Sequence, residues 1–204
     1  MNINNIKKQF PIFNNKVHNN DLVYLDSANS SQKPQMVVDR IYDFYTKEFS
    51  NVGRSVHYLA VAATNLYEET RSLMQKYINA KDPHEIVFTK GATEAINLVA
   101  NTFGQKFLKE GDEIILTELE HHSNYVPWHY LRRSKGVQIK FAEINSEGEI
   151  SLESIEKLIT SKTKMIAITH LSNVTGAILP VKEIVSLAHS KGCLLYTSDA
   201  ADED

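Results

Sequence analysis

Apolar positions along the chain alternate between two rhythms. Leu22-Val23-Tyr24-Leu25, Ile86-Val87-Phe88, Ile114-Ile115-Leu116, Ile139-Lys140-Phe141-Ala142 and Met165-Ile166-Ala167-Ile168 are short apolar runs that end in polar segments, as strands do. Between them, apolar residues recur at helical spacing. Val37, Val38, Ile41, Phe44 and Tyr45 follow Pro34; Leu66, Leu73, Met74 and Tyr77 form a stripe within residues 60–78. Ile96, Val99, Ala100 and Phe103 follow Lys90-Gly91, and a helix is predicted near Trp128 to Arg133. Ser151 caps a helix carrying Ile155, Leu158 and Ile159, and Val181, Ile184, Val185 and Ala188 mark one more, ended by Gly192. Strands are predicted over 21–26, 85–89, 113–117, 138–142 and 165–170, with another opening at Cys193. This alternation predicts an α/β fold whose mostly parallel sheet is flanked by helices. The near-continuous apolar runs fit strands covered on both faces.

The rhythm stops where the last strand should continue. Thr197-Ser198-Asp199-Ala200-Ala201-Asp202-Glu203-Asp204 has no apolar period and carries four acids in its last six residues. A tail normally follows a finished domain, and a strand stopped early leaves an open edge. The expected partition is an N-terminal segment at 1–20, an incomplete domain at 21–195 and a non-native tail at 196–204, a natural acidic tail being the alternative.

Composition narrows the chemistry. With 204 residues, 42% hydrophobic and 23% charged, the chain is ordinary globular protein rather than disordered or fibrous. The 22 Lys+Arg against 25 Asp+Glu leave a net charge of −3 and no basic stripe, which argues against nucleic acid. The single cysteine, Cys193, excludes a disulfide framework and a Cys-rich zinc site, and its apolar run marks it as core. The first eight residues are polar, unlike a secretion signal, and no apolar stretch is long enough to span a bilayer. A soluble, cytoplasmic protein that meets no membrane is expected.

Ligands of open α/β sheets bind at the carboxyl ends of the strands. Three predicted strand ends carry polar groups: Lys90-Gly91-Ala92-Thr93-Glu94, Glu118-Leu119-Glu120-His121-His122-Ser123-Asn124, and His170-Leu171-Ser172-Asn173-Val174-Thr175-Gly176. Gly91 permits a tight turn, Ala92 adds no bulk, and Thr93 offers a hydroxyl beside open helix amides, which makes a phosphate cup. An ordinary N-cap formed by Thr93, with Glu94 in the first turn, explains the same residues. His121-His122 admits a metal with Glu118, Glu120 or His170, an imidazole stacked on an aromatic cofactor or shuttling protons, or two solvated loop histidines. No metal-ligand spacing supports the first of these. Asn173 either donates to a ligand oxygen or steadies the turn before Gly176.

Several blocks in order carry a resemblance. Tyr24-Leu25-Asp26-Ser27-Ala28 with Gln32-Lys33-Pro34, then Thr93-Glu94-Ala95-Ile96-Asn97-Leu98-Val99-Ala100, Glu120-His121-His122-Ser123-Asn124-Tyr125-Val126-Pro127-Trp128, and Ile168-Thr169-His170-Leu171-Ser172-Asn173-Val174-Thr175-Gly176 resemble group II, SUF-type cysteine desulfurases. These belong to the class V branch of pyridoxal-phosphate aminotransferase-like enzymes. The resemblance runs from about Leu22 to Gly192 and implies the large domain of that fold, with pyridoxal 5'-phosphate as cofactor.

By position, the resemblance implies that Thr93 and the backbone after Ala92 hold the cofactor phosphate. It implies that His121 stacks on the pyridine ring and moves protons, and that Asn173 lies near the phenolic oxygen. Arg54 falls on the substrate side, where Gly53-Arg54-Ser55 keeps the family's arginine and lacks its flanking histidine. The family's ring-nitrogen aspartate and its glutamine fall in register on Ser198 and Ala201, with Asp199 one residue out. The Schiff-base lysine, the sulfur-accepting cysteine and the carboxylate-binding arginine are expected beyond Asp204, and Lys90, on another strand, does not replace that lysine. The activity implied for the whole enzyme converts L-cysteine to L-alanine and an enzyme-bound persulfide. That sulfur passes to an acceptor protein for iron–sulfur cluster assembly, in a homodimer; this chain alone is expected to be inactive. The alternatives are a selenocysteine lyase or other class V enzyme, and a non-catalytic fragment that binds a ligand or partner.

Overall fold

A computed structural model describes residues 2–198 of the chain, in two compact units. The first comprises Gln32–Phe88 and the segment up to Leu25; the second comprises Asp26–Ser31 and the chain from Thr89 onward.

Helices dominate the first unit. Helix α1 (Ile3–Lys7) and a 3-10 turn (Pro11–Asn14) precede a two-residue hairpin of β1 (Lys16–Val17) and β2 (Asn20–Asp21). His18 and Asn19 turn that hairpin at φ of 50° and 65°. Helix α2 (Gln35–Asp43) runs on into one turn of π-helix at Phe44–Glu48, and α3 (Tyr58–Tyr77) leads to a 3-10 turn at Pro83–Glu85. His57 Nδ1 caps α3 by accepting from the Ala60 amide over 3.3 Å.

Two predicted strands are absent from this unit. Of the run 21–26 only Asp21 pairs, with Lys16, and Val23 and Leu25 are 75% and 91% exposed. An apolar run suits a strand, but a ladder needs a neighbouring backbone. Within 85–89, Glu85 ends a 3-10 turn, Ile86 is extended and residues 86–89 belong to no strand. The Ile86 carbonyl accepts instead from the Arg71 guanidinium, which lies over the Tyr67 and Phe88 rings at 5.0 and 5.3 Å. The α3 stripe also differs from expectation: Ala60 and Ala63 are buried, Leu66 and Met74 are half-buried, and Leu73 and Tyr77 are exposed.

The second unit contains the expected α/β sheet. Helix α4 (Ala92–Val99) continues through a π-turn (Ala100–Gly104) into α5 (Gln105–Phe107). After β3 (Glu113–Thr117), a 3-10 turn (His122–Asn124) enters α6 (Val126–Lys135). Gly136 ends α6 at φ +72°, the left-handed closure that suits glycine. Then follow β4 (Gln138–Ala142), α7 (Leu152–Glu156), β5 (Thr163–Thr169), α8 (Val181–Ser190) and β6 (Leu194–Ser198). Ser151 caps α7 as predicted, its hydroxyl accepting from Ser154 N–H over 3.0 Å.

All four strands are parallel, in the order β4-β3-β5-β6. Ile115 pairs with Ile166, and Thr169 pairs with Ser198. The predicted strand at Cys193 therefore begins at Leu194 and runs through Ser198, taking in Tyr196–Ser198 from the segment expected as tail. The expectations on Asp199 and Ala201 lie outside the described residues.

The period of two divides the core into two layers. Ile114, Leu116, Met165 and Ala167 pack with Ile96, Trp128 and Leu131 on one face. Ile115, Ile166 and Ile168 pack with Ile155, Ile184 and Ala188 on the other. Each buried aliphatic side chain contributes about 1.5–3 kcal/mol relative to exposure. These two layers fix which way each connection leaves the sheet.

Candidate functional site

From adjacent strands β3 and β5 the chain departs in opposite directions. The connection after β3 leads to α6 on the Trp128 face, whereas the one after β5 leads to α8 on the Ile184 face. Neighbouring strands whose connections diverge leave a crevice outside their carboxyl ends, the usual ligand position of open α/β sheets. Residues 118–124 form one wall and residues 170–178 the other. Helix α4 packs against the His122–Asn124 turn on the first wall.

The α4 terminus is built from backbone. Gly91 is the N-cap and offers no side-chain cap, and Ala92 and Thr93 are the first two helical residues. Thr93 is therefore not the N-cap. Glu94 turns back to accept from the Lys90 amide over 2.6 Å. By helix geometry the amides of Ala92 and Thr93 have no intrahelical acceptor, and they sit at the positive end of the helix dipole.

His121 caps the 3-10 turn. Its Nδ1 lies 3.0 Å from Ser123 Oγ and accepts from Ser123 N–H at 3.4 Å. A neutral ring so placed carries its proton on Nε2. The ring meets that of the exposed His122 edge-on, at 6.0 Å and 82°.

Asn173 lies on the opposite wall, half-buried. The turn around it is held by the buried Ser172, whose hydroxyl accepts from the amides of Val174 and Thr175 at 3.3 and 3.2 Å. Leu171 and Ile178 bridge its base, and Gly176 closes it at φ +73°. Ser172, rather than the Asn173 side chain, steadies this turn.

Glu120 joins the walls, a role the sequence did not suggest. Its Oε1 accepts from Thr117 Oγ1 at 2.6 Å on β3 and from Thr169 N–H at 3.0 Å on β5. Its Oε2 accepts from Asn124 Nδ2 at 2.7 Å, and Asn124 Oδ1 accepts from Trp128 Nε1 at 2.9 Å. Burial pushes this carboxyl above its ordinary range, against the bonds from Thr117, Asn124 and Thr169 that pull it down. The spacing Glu120, Asn124, Trp128 was a visible signal, four residues apart each time. Its meaning depends on Thr169, which is distant in sequence.

Two further predicted positions stand apart. Ser198, in register with the family's aspartate, ends β6 buried, and its hydroxyl has no hydrogen-bond partner among the described residues. A serine there cannot supply the anion that would pair with a protonated ring nitrogen. Arg54 belongs to the first unit, exposed in the loop where Gly53 N–H donates to Thr64 Oγ1 over 3.1 Å. The open amides of α4 suit a phosphate and the His121 imidazole offers a flat face to an aromatic ring, while Ser198 offers no anion to a ring nitrogen.

A family model described as aminotransferase class-V matches residues 23–203. A "probable cysteine desulfurase" of Halalkalibacterium halodurans is 45% identical over 200 residues, which are 98% of this chain and 49% of that protein. The apo structure of a cysteine desulfurase from Thermococcus onnurineus superposes with a TM-score of 0.86 at 36% identity, over 95% of this chain and 46% of the other. A structure described as SspA in complex with cysteine gives a TM-score of 0.77 at 27% identity, over 86% of this chain and 50% of the other. The chain thus spans about half the length of these relatives. Among the described residues, no helix is long and apolar enough to cross a membrane.

Proposed function

The chain belongs to the aminotransferase class-V family, and from that premise we propose that it is the amino-terminal half of a pyridoxal-phosphate-dependent cysteine desulfurase. The observation that carries the reading is the packing of α4, with its open amides, against the turn that His121 caps beside the β3–β5 crevice. When bound, the cofactor supplies an electron sink that weakens bonds next to the substrate amino group. The amides of Ala92 and Thr93, with the Thr93 hydroxyl, bind its phosphate. The His121 imidazole stacks on its ring and moves a proton at Nε2. Asn173 donates its amide to the phenolic oxygen, and Arg54 serves the substrate side.

The substrate in this reading is L-cysteine, in keeping with the relatives' names and with the cysteine held by the SspA structure. The products are L-alanine and a persulfide on a cysteine of the other half, which also brings the Schiff-base lysine. Cys193 is not that nucleophile, because it is buried in the core cluster that also holds Ile166 and Ile184. The whole enzyme is a cytoplasmic homodimer that passes sulfur to an acceptor protein for iron–sulfur cluster assembly. This chain alone is inactive.

The test is alanine release from L-cysteine by two proteins: the chain alone, and residues 1–192 joined to the carboxyl-terminal half of the Halalkalibacterium relative. Alanine is expected from the joined enzyme and not from the chain. Turnover by the chain alone would overturn the division of labour between the halves. A folded, cofactor-loaded joined enzyme that leaves cysteine intact would overturn the desulfurase reading.

A further inference from the structure

We propose that Glu120 is a positioning residue, which fixes the His121 turn across the β3–β5 crevice through a hydrogen-bond chain whose direction is set at both ends. The indole of Trp128 is a donor only, so Asn124 must present Oδ1 to it and Nδ2 to Glu120. The Thr169 amide is likewise a donor only, and it points at the other oxygen of Glu120. Both carboxylate oxygens must therefore accept, and no amide flip satisfies the chain with fewer acceptors.

That constraint reaches His121 directly. Glu120 is its neighbour in sequence, and Asn124 closes the same turn by donating its backbone N–H to the His121 carbonyl over 2.9 Å. Asn124 is fully buried and Ser123, which faces the His121 ring, is 7% exposed, so the turn has little room to adjust. Glu120 thus holds the turn from β3 through Thr117 and from β5 through Thr169, and registers one wall of the crevice against the other. The inference rests on the desulfurase reading for what the imidazole does, and on this geometry for what holds it.

The test exchanges donor and acceptor. In Glu120→Gln, the new amide group faces either the Asn124 amide group or the Thr169 N–H, so two donors meet. In Asn124→Asp, two carboxylates meet. The double variant E120Q/N124D restores complementarity, because the introduced amide donates to the introduced carboxylate, which accepts from Trp128 as the parent side chain does. The readout is the His121 Cε1–H resonance of the 204-residue chain, assigned by comparison with His121→Gln.

Each single variant is expected to displace that resonance, and the double variant to return it. In the joined enzyme the single variants should lower turnover by on the order of 10- to 100-fold, the scale of a small misplacement at a reacting group. A His121 signal unmoved in the single variants overturns the proposal. So does a double variant that melts like the parent yet keeps the displaced signal. Should the single variants not fold, a folded double variant with the parent's His121 signal supports the proposal. Alanine formation by the unaltered joined enzyme reports on the desulfurase reading, so either idea can fail alone.

Discussion

Gly104 approaches Leu131 so closely that a Cβ built on it would lie 2.5 Å from Leu131 Cδ1. This contact seats the π-turn after α4 on helix α6, and both residues are buried. Leu131 is enclosed by the core and has little space to retreat. Gly104→Ala should therefore destabilise the chain by about 1–3 kcal/mol, the usual cost of overpacking. The melting temperature should fall by roughly 2–4 °C for each kcal/mol. In a Leu131→Ala background the same substitution should cost much less, and additive losses in a double-mutant cycle would refute the contact.

Glu113 and Lys140 set an acid limit on stability. Burial raises the Glu113 pKa, but the Lys140 ammonium at 2.8 Å and the hydroxyls of Thr160 and Thr163 outweigh it and hold the carboxyl below its ordinary 4.5. A carboxyl lowered by folding adds stability that is complete above that ordinary value and is lost as pH falls through the folded one. Glu120 has the opposite sign: burial raises it, so its contribution is complete at low pH and is lost as pH rises through the raised value. Melting curves taken downward from pH 7 should show the parent losing more stability below about pH 4.5 than Glu113→Gln does. Parallel acid limbs would rule this out.

The sheet was legible because its strands are buried on both faces. Ile114-Ile115-Leu116 and Met165-Ile166-Ala167-Ile168 have to be apolar throughout, and such runs announce themselves. Leu22–Leu25 and Ile86–Phe88 are equally apolar, yet form no ladder, because pairing is a property of neighbours and not of the run. The π-turns at Phe44–Glu48 and Ala100–Gly104 keep helical spacing and left no mark that periodicity could detect. In the site, Thr93, His121 and Asn173 stood out as polar residues after apolar runs. Glu120 was visible at four-residue spacing from Asn124 and Trp128, but not as a link between the walls. Its place between the walls depends on Thr169, 49 residues away in sequence.

Cys193 should be chemically quiet. It is 2% exposed, its thiol donates to the Thr163 carbonyl over 3.3 Å, and burial pushes its pKa up despite the opposing charge of Lys164. Thiolate is the reactive form, so both access and ionisation are against modification. Titration with a disulfide reagent should find no fast-reacting thiol in the folded chain and one equivalent in denaturant. A fast native reaction would mean that β6 opens readily and that Cys193 is not core.

The α4 terminus offers a sharper test of cofactor binding than the Thr93 hydroxyl does. Ala92 is the first helical residue, where an amide has no intrahelical acceptor and proline is well tolerated. Gly91 before it is extended, at φ 170° and ψ −179°, clear of the α region that a following proline disfavours. Ala92→Pro should therefore leave the melting temperature unchanged while deleting one N–H from the proposed phosphate cup. A hydrogen bond to a charged group contributes about 1.5–3 kcal/mol, or roughly 10- to 100-fold in affinity. In equilibrium titrations of the joined apoenzyme, Ala92→Pro should weaken pyridoxal phosphate by that factor and leave pyridoxal, which lacks the phosphate, unaffected. Equal loss for both ligands would point to a disturbed ring site. Unchanged binding of pyridoxal phosphate would move the phosphate away from α4 altogether.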